Sequence, residues 1–179
     1  DDEEAAQIVA GRLTAEGVTL RLGAGVERVE RRAGERWLQL RGAPPVAADE
    51  LLVAVGRAPN VEGLGLEAAG VAFDPKRGVH VDDRLRTSNP RIFAAGDVCL
   101  DWKFTHAADA TAKLAVQNAL FLPIQKLSSL VMPWCTYTDP EVAQVGLSEA
   151  DAQSRGIDVD VYRAPLAQVN RAVLDGEAE

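Results

Sequence analysis

The chain has 179 residues, with 19 lysines and arginines against 27 aspartates and glutamates, a formal net charge of −8. That balance lacks the basic footprint a nucleic-acid partner requires, and no apolar run approaches the roughly 20 residues that span a bilayer. A hydrophobic fraction of 47% beside 26% charged residues suits a globular protein with a real core, while two cysteines, Cys99 and Cys135, cannot build a disulfide framework and fit a reducing cytoplasm.

The first segment, DEEAAQIVAGRLTAEG, predicts a helix. Ile8, Val9 and Leu13 share a face with the alanines, acids crowd the first turn, and Gly17 is a natural stop. VTLRLGA (18–24), GVERVERR and RWLQLRG alternate apolar and polar residues as half-buried strands do. GAPPVAA (42–48) predicts a turn, and DELLVAVG (49–56) a strand buried on both faces. RAPNVEGLGLEAAG reads as a loop with a short helix, VAFDPKRGVHVDD as a hairpin, and RIFAAGD (91–97) as the next buried strand.

THAADATAKLAVQNALF is the second helix, with Thr105 as its N-cap and Ala107, Ala110, Leu114, Ala115 and Leu120 at helical spacing. LPIQKLSSLVMP is a connector. WCTYTDPEVAQVGLSEADAQSRG gives a strand, a turn at Pro140-Glu141, and a third helix from about Ser148, where SEAD has the form of a capping box. IDVDVYRAPL predicts a strand, and NRAVLDGEAE the middle of a hairpin. A crossover helix needs a strand on each side, so the opening helix and this last segment both read as pieces of a longer chain.

Several local patterns fail on context. LGAGVERVE carries Gly23-x-Gly25, but Arg28 stands where a dinucleotide fingerprint has its third glycine, and no helix opens there to receive a pyrophosphate. EGLGLEAAG has no strand leading into it. Cys99 and Cys135 are too far apart in sequence for a local redox dithiol, and each reads as a small buried residue. His80 sits in the predicted hairpin. His106 opens a helix, where a charged imidazolium is disfavoured. No HxxH or CxxC spacing supports a metal site, and no Gly-x-Ser-x-Gly elbow is present.

Three stretches stand apart. LLVAVGRAPN (51–60) ends an apolar run in Gly56, Arg57, Pro59 and Asn60. TSNPRIFAAGDV (87–98) places Thr87, Pro90, Ile92, Phe93, Ala94, Gly96 and Asp97 in the pattern Thr-x-x-Pro-x-Ile-[Tyr/Phe]-Ala-x-Gly-Asp. YTDPEVAQVGLSEADA (137–152) is the third. In this order they resemble the flavoprotein disulfide reductases, the pyridine nucleotide-disulfide oxidoreductase family that includes dihydrolipoamide dehydrogenase, glutathione reductase and mercuric reductase. FTHAADA and QVNRAVLDGEAE are similar to the mercuric reductase branch.

The resemblance implies an α/β fold: partial FAD- and NAD(P)-binding Rossmann-like domains followed by the start of an α+β dimerisation domain. Residues 1–55 would be the second half of the NAD(P)-binding domain, 56–131 the later part of the FAD-binding domain, and 132–179 the start of the interface domain of a homodimer. It further implies that Asp97 accepts hydrogen bonds from the ribityl hydroxyls of FAD, as an acceptor-only carboxylate can, with Gly96 allowing close backbone approach. The helix after it would aim its N-terminus at the flavin. Lys103, Phe104, Thr105 and His106 fall on the family's flavin-contacting run, largely through backbone. Gly56, with Arg57 beside it, matches a cofactor-binding position near the nicotinamide nucleotide. No catalytic residue and no metal ligand is carried over, because the Cys-x4-Cys pair is absent and neither histidine has a glutamate five positions on. Intact members would pass hydride from NAD(P)H to FAD and electrons onward to the cysteine pair, so this chain alone is expected to be inactive. The alternative is a non-catalytic nucleotide-binding or interaction module of the same architecture.

Overall fold

The computed structural model describes residues 2–176. The chain divides into two compact units. The first holds the chain up to Ala54, Cys135–Ala143, and the chain from Leu147 onward. The second holds Val55–Trp134 and Gln144–Gly146.

In the first unit, α1 (Glu3–Ala15) starts at Asp2, whose carboxylate accepts from the Ala5 N–H, and Glu3 and Glu4 lie in its positive first turn. A three-stranded meander follows: β1 (Val26–Arg32), β2 (Glu35–Leu40) and β3 (Ala43–Ala48), in that spatial order, with both pairs antiparallel. The expected turn at 42–48 is therefore wrong. Prolines disfavour ladders because they cannot donate, yet Pro44 and Pro45 occupy an edge strand at the point where its register against Leu38 and Leu40 slips. Helix α3 (Glu149–Ser154) begins on the expected capping box, with Ser148 Oγ accepting from the Asp151 N–H while Asp151 accepts from the Ser148 N–H. Arg163 bridges Glu4 and Glu149, at 3.2 Å to each. That pair is solvent-exposed, and screening leaves such bridges weak.

The second unit carries the larger core. A hairpin of β4 (Phe73–Asp74) and β5 (Gly78–Val79) forms as expected. Helix α2 (Thr105–Leu120) buries Ala107, Thr111, Leu114, Ala115 and Asn118. Its apolar face meets Leu85 and Leu100, while Val61, Val71 and Val79 form an adjoining cluster beneath the hairpin. Leu85 is fully buried although its φ is +64°. The strain has a visible cause: Asp82 Oδ1 accepts the N–H groups of Arg84 and Arg86, winding the chain into a tight turn that drives Leu85 into the core. Burial opposes ionisation of Asp82, but those N–H groups and the Arg86 guanidinium outweigh it and hold the carboxyl below its ordinary range.

Asn118, the polar residue that interrupts the apolar run of α2, is buried because its amide has work there. It donates to the carbonyls of Arg84 and Gln125 and accepts from the Gln125 N–H. Farther on, β6 (Pro133–Thr136) and β7 (Val142–Val145) form a two-stranded sheet, joined through a bend at 138–140 that lies slightly ahead of the turn expected at Pro140-Glu141.

Four expected strands are not formed. Residues 18–24 and 49–56 run without a ladder, and Leu22, Leu52 and Val55 are 85%, 90% and 93% exposed. Residues 91–97 keep a single bridge, Arg86 to Phe93, before a 3₁₀ turn, and in the strand expected at 157–166 residues 157–165 stay irregular and Leu166 opens another 3₁₀ turn. Alternation and apolar runs report which side chains seek burial, whereas a strand also needs a neighbour to take its N–H and C=O groups. No described segment supplies that neighbour. The short helix expected within 57–70 is a series of turns. The last segment is helix α4 (Asn170–Asp175), not a hairpin: Ala172 is buried and Gly176 closes the helix at φ +75°. The remainder of that expected hairpin, 177–179, lies outside the described residues. Among the described residues no helix is long and apolar enough to cross a membrane.

Candidate functional site

The acid that ends the apolar run at 92–95 sits in a 3₁₀ turn, Gly96–Val98, after an extended Ala95. Gly96 makes the turn possible. Its φ is +74°, and a Cβ there would sit 3.0 Å from Ala108 Cβ on α2. The turn is tied down at both ends. The Gly96 N–H donates to Thr111 Oγ1 at 3.1 Å, and the Gly96 carbonyl accepts the N–H groups of Cys99 and Leu100.

Thr111 is fully buried and its hydroxyl donates onward to the Ala107 carbonyl at 2.7 Å. Nothing in the sequence pattern singled it out beyond helical spacing; a threonine at a core position of an otherwise alanine-rich face was the available signal. Thr111→Val keeps the shape and removes the acceptor, stranding the buried Gly96 N–H. We expect a loss of about 1–3 kcal/mol in denaturant unfolding of the chain, while Thr111→Ser should retain most of the stability.

Asp97 projects its carboxylate from this turn, with the side chain 44% exposed and Arg57 Nη1 3.9 Å from Oδ2. Arg57 also donates to the Lys103 carbonyl at 3.1 Å. Lys103 in turn donates through Nζ to the carbonyls of Asp97 and Leu100, at 3.1 Å and 2.6 Å. Four of the expected residues, Arg57, Gly96, Asp97 and Lys103, therefore form one connected group. Gly56 stands next to Arg57 at φ +117° with open space where a Cβ would go.

Phe104, not Thr105, is the N-cap of α2, and it makes no side-chain cap bond. Thr105 is the first helical residue. The expectation was one residue late because threonine's capping preference outweighed a chain that turns helical at that threonine itself. With no capping side chain, the first N–H groups of α2 are left to other partners. Phe104 and His106 stack, with ring centroids 5.3 Å apart and planes 7° apart. His106 Nε2 lies 2.7 Å from the Pro133 carbonyl. A carbonyl only accepts, so Nε2 is the donor in this contact.

Cys99 is not a nucleophile in this setting. Burial pushes its thiol up to about 11, only partly offset by Lys103. Among the described residues no group of three or more His, Cys, Asp or Glu side chains is placed to hold a metal ion. A groove in the first unit, lined by Thr19, Arg21, Ala24, Val26, Leu38, Leu40 and Val46, offers one cation and one hydroxyl but no carboxylate, thiol or imidazole.

An open carboxylate in a glycine turn is thus followed within eight residues by an uncapped helix start. Residues 1–113 match the family model for pyridine nucleotide-disulphide oxidoreductases. The chain belongs to that family. Residues 132–179 match the pyridine nucleotide-disulphide oxidoreductase dimerisation domain. The chain is 37% identical to the mercuric reductase of Staphylococcus aureus, covering 98% of itself and 33% of that enzyme. It is 35% identical to the dihydrolipoyl dehydrogenase of Thermus scotoductus, covering 99% of itself and 39% of that enzyme. Among solved structures it is similar to RclA, an HOCl-induced flavoprotein disulfide reductase from Escherichia coli in complex with Cu(II). The TM-score there is 0.86 at 28% identity, covering 99% of this chain and 40% of RclA. This pyridine nucleotide-disulphide oxidoreductase chain thus spans 33% to 40% of the length of these relatives.

Proposed function

We propose that the chain is part of a larger FAD-dependent oxidoreductase that takes hydride from NAD(P)H and passes electrons to a disulfide or to mercuric ion. The observation that carries this reading is the Asp97 carboxylate, open to solvent and braced in a glycine turn beside the N-terminus of α2. The donor set fits the cofactor: a carboxylate accepts from a polyol, and unpaired helix N–H groups donate to the carbonyl edge of a flavin. FAD, when bound, supplies the hydride-accepting ring and relays the electrons. The protein's part is to hold and orient it. Asp97 would grip the polyol, Gly96 keep the backbone low, and the run Lys103–His106, leading into the start of α2, present N–H groups and a partial positive charge that favour an electron-rich ring. In this reading Gly56, with Arg57 beside it, would lie near the nicotinamide nucleotide.

In this reading, residues 1–55 complete an NAD(P)-binding domain, 56–131 belong to the FAD-binding domain, and 132–179 begin the interface of a cytoplasmic homodimer. No Cys-x4-Cys pair occurs in the sequence, so the chain by itself is not expected to turn over. The test is to purify the full-length protein and this chain side by side. The full-length protein should retain stoichiometric FAD and oxidise NAD(P)H when a disulfide or mercuric ion is added, while the isolated chain does neither. A full-length protein that binds no flavin under reconstitution overturns the proposal.

A further inference from the structure

We propose that the Lys103 side chain is a positioning residue for Asp97, its ammonium locking the turn that aims the carboxylate. This inference rests on the reading of Asp97 as the group that grips the flavin's polyol. Family resemblance assigns residues 103–106 a backbone role, and nothing in it concerns the lysine's own side chain. Yet that side chain folds back over the loop and gathers two carbonyls, those of Asp97 and Leu100, at 3.1 Å and 2.6 Å.

Neither carbonyl accepts a backbone N–H in the turns around it. A 3₁₀ turn this short leaves such groups without partners, and a partly buried carbonyl needs one. Lys103 supplies it to both at once. Among the described residues no carboxylate lies within ion-pairing distance of Nζ, so the ammonium is held there by main-chain oxygens and not by a countercharge. A surface lysine with no task would extend its charge into water. Helix stability does not account for the placement either, because a cation just ahead of the α2 N-terminus opposes the helix dipole.

The contacts close on themselves. Arg57 Nη1 donates to the Lys103 carbonyl at 3.1 Å and lies 3.9 Å from Asp97 Oδ2, while Lys103 Nζ holds the Asp97 carbonyl. Asp97 is therefore fixed through its main chain by Lys103 and approached through its side chain by Arg57. Of the two, only Lys103 determines where the turn itself lies. Removing its ammonium frees two carbonyls and lets the 97–103 loop reorient, and with it the carboxylate.

The test uses apoprotein of the full-length protein titrated with FAD, following quenching of flavin fluorescence, for Lys103→Met, Lys103→Arg, Asp97→Ala and the double variant Lys103→Met/Asp97→Ala. Thermal unfolding of each apoprotein is recorded alongside. Lys103→Met should weaken FAD binding about tenfold, roughly the worth of one hydrogen bond to a charged group. Lys103→Arg, which can still donate to both carbonyls, should restore most of the affinity, and in the Asp97→Ala background the lysine substitution should have little further effect. If Lys103→Met binds FAD as tightly as the parent while Asp97→Ala binds weakly, the positioning role is wrong and the Asp97 reading survives. If Asp97→Ala itself changes nothing, the reading of the site fails first. An equal loss from Lys103→Met with and without Asp97 would show that the lysine acts on FAD directly, which also overturns the inference. Should Lys103→Met unfold the apoprotein, Lys103→Ala, which also lacks a donor but lets water reach the two carbonyls, replaces it, with the same outcomes.

Discussion

In the full-length protein, Asp97→Ala is expected to weaken FAD binding by about 100-fold. The estimate follows from what a carboxylate does for a polyol. Hydrogen bonds to a charged group contribute about 1.5–3 kcal/mol each, and each 1.4 kcal/mol is about a factor of ten in affinity. Losing the equivalent of one strong bond or two weaker ones gives about that change. Asp97→Asn should fall between parent and alanine, because it keeps one acceptor oxygen and the shape but loses the charge. Fold stability should hardly move. The Arg57 pair is solvent-exposed on both sides, and such pairs contribute little. Equilibrium titration of apoprotein with FAD checks the first expectation and thermal unfolding the second. Unchanged affinity in the alanine variant would remove the ground for placing the flavin's polyol at this turn.

The second large effect concerns folding. Gly78→Ala is expected to destabilise the second unit by about 3–5 kcal/mol, combining an overpacked contact with a left-handed backbone forced on alanine. Gly78 opens β5 at φ +92°, and a Cβ there would overlap the Val98 carbonyl oxygen, lie 3.0 Å from Val98 C, and lie 3.2 Å from Pro59 Cβ. The obstacle is backbone, so no rotamer change relieves it. Gly63→Ala makes the control. Its φ is also positive, +72°, but no atom stands within 4 Å of the added methyl, so only about 1 kcal/mol is expected. Guanidinium unfolding of both variants separates the two causes. Equal losses at the two glycines would mean that backbone conformation, and not the approach of Val98, sets the cost.

These two glycines show why the sequence was only partly legible. Glycine at position 78 sits in a recognisable hairpin, where a turn residue is unsurprising. That its missing Cβ leaves room for a main-chain oxygen twenty residues away is a tertiary fact that no local pattern carries. The helices α1, α2 and α3 were legible because their signals are local: spacing of apolar residues, acids in the first turn, and the Ser148–Asp151 capping box. So was the β4–β5 hairpin.

The strands expected at 18–24, 49–56, 91–97 and 157–166 failed for the opposite reason. Val53 and Val55 look like core residues in sequence and are 69% and 93% exposed in the structure. The pattern specified side chains fit for a sheet and could say nothing about whether another chain segment lies alongside. The site divides in the same way. Gly96 and Asp97 stood out in sequence as an abrupt end to an apolar run. Thr111, which holds the Gly96 N–H from fifteen residues downstream, did not, because a hydroxyl among alanines on a helix has many explanations.

Arg57 gives the two signature stretches a relation that their order along the chain conceals. One stretch carries this arginine and the other the aspartate it approaches, while the arginine's hydrogen bond goes to the carbonyl of the lysine six residues farther on. A change at one is therefore felt at the other. Loss of the acid removes one of the arginine's two neighbours and leaves the guanidinium on the Lys103 carbonyl alone, so the loop beyond the second stretch keeps its tie to the first.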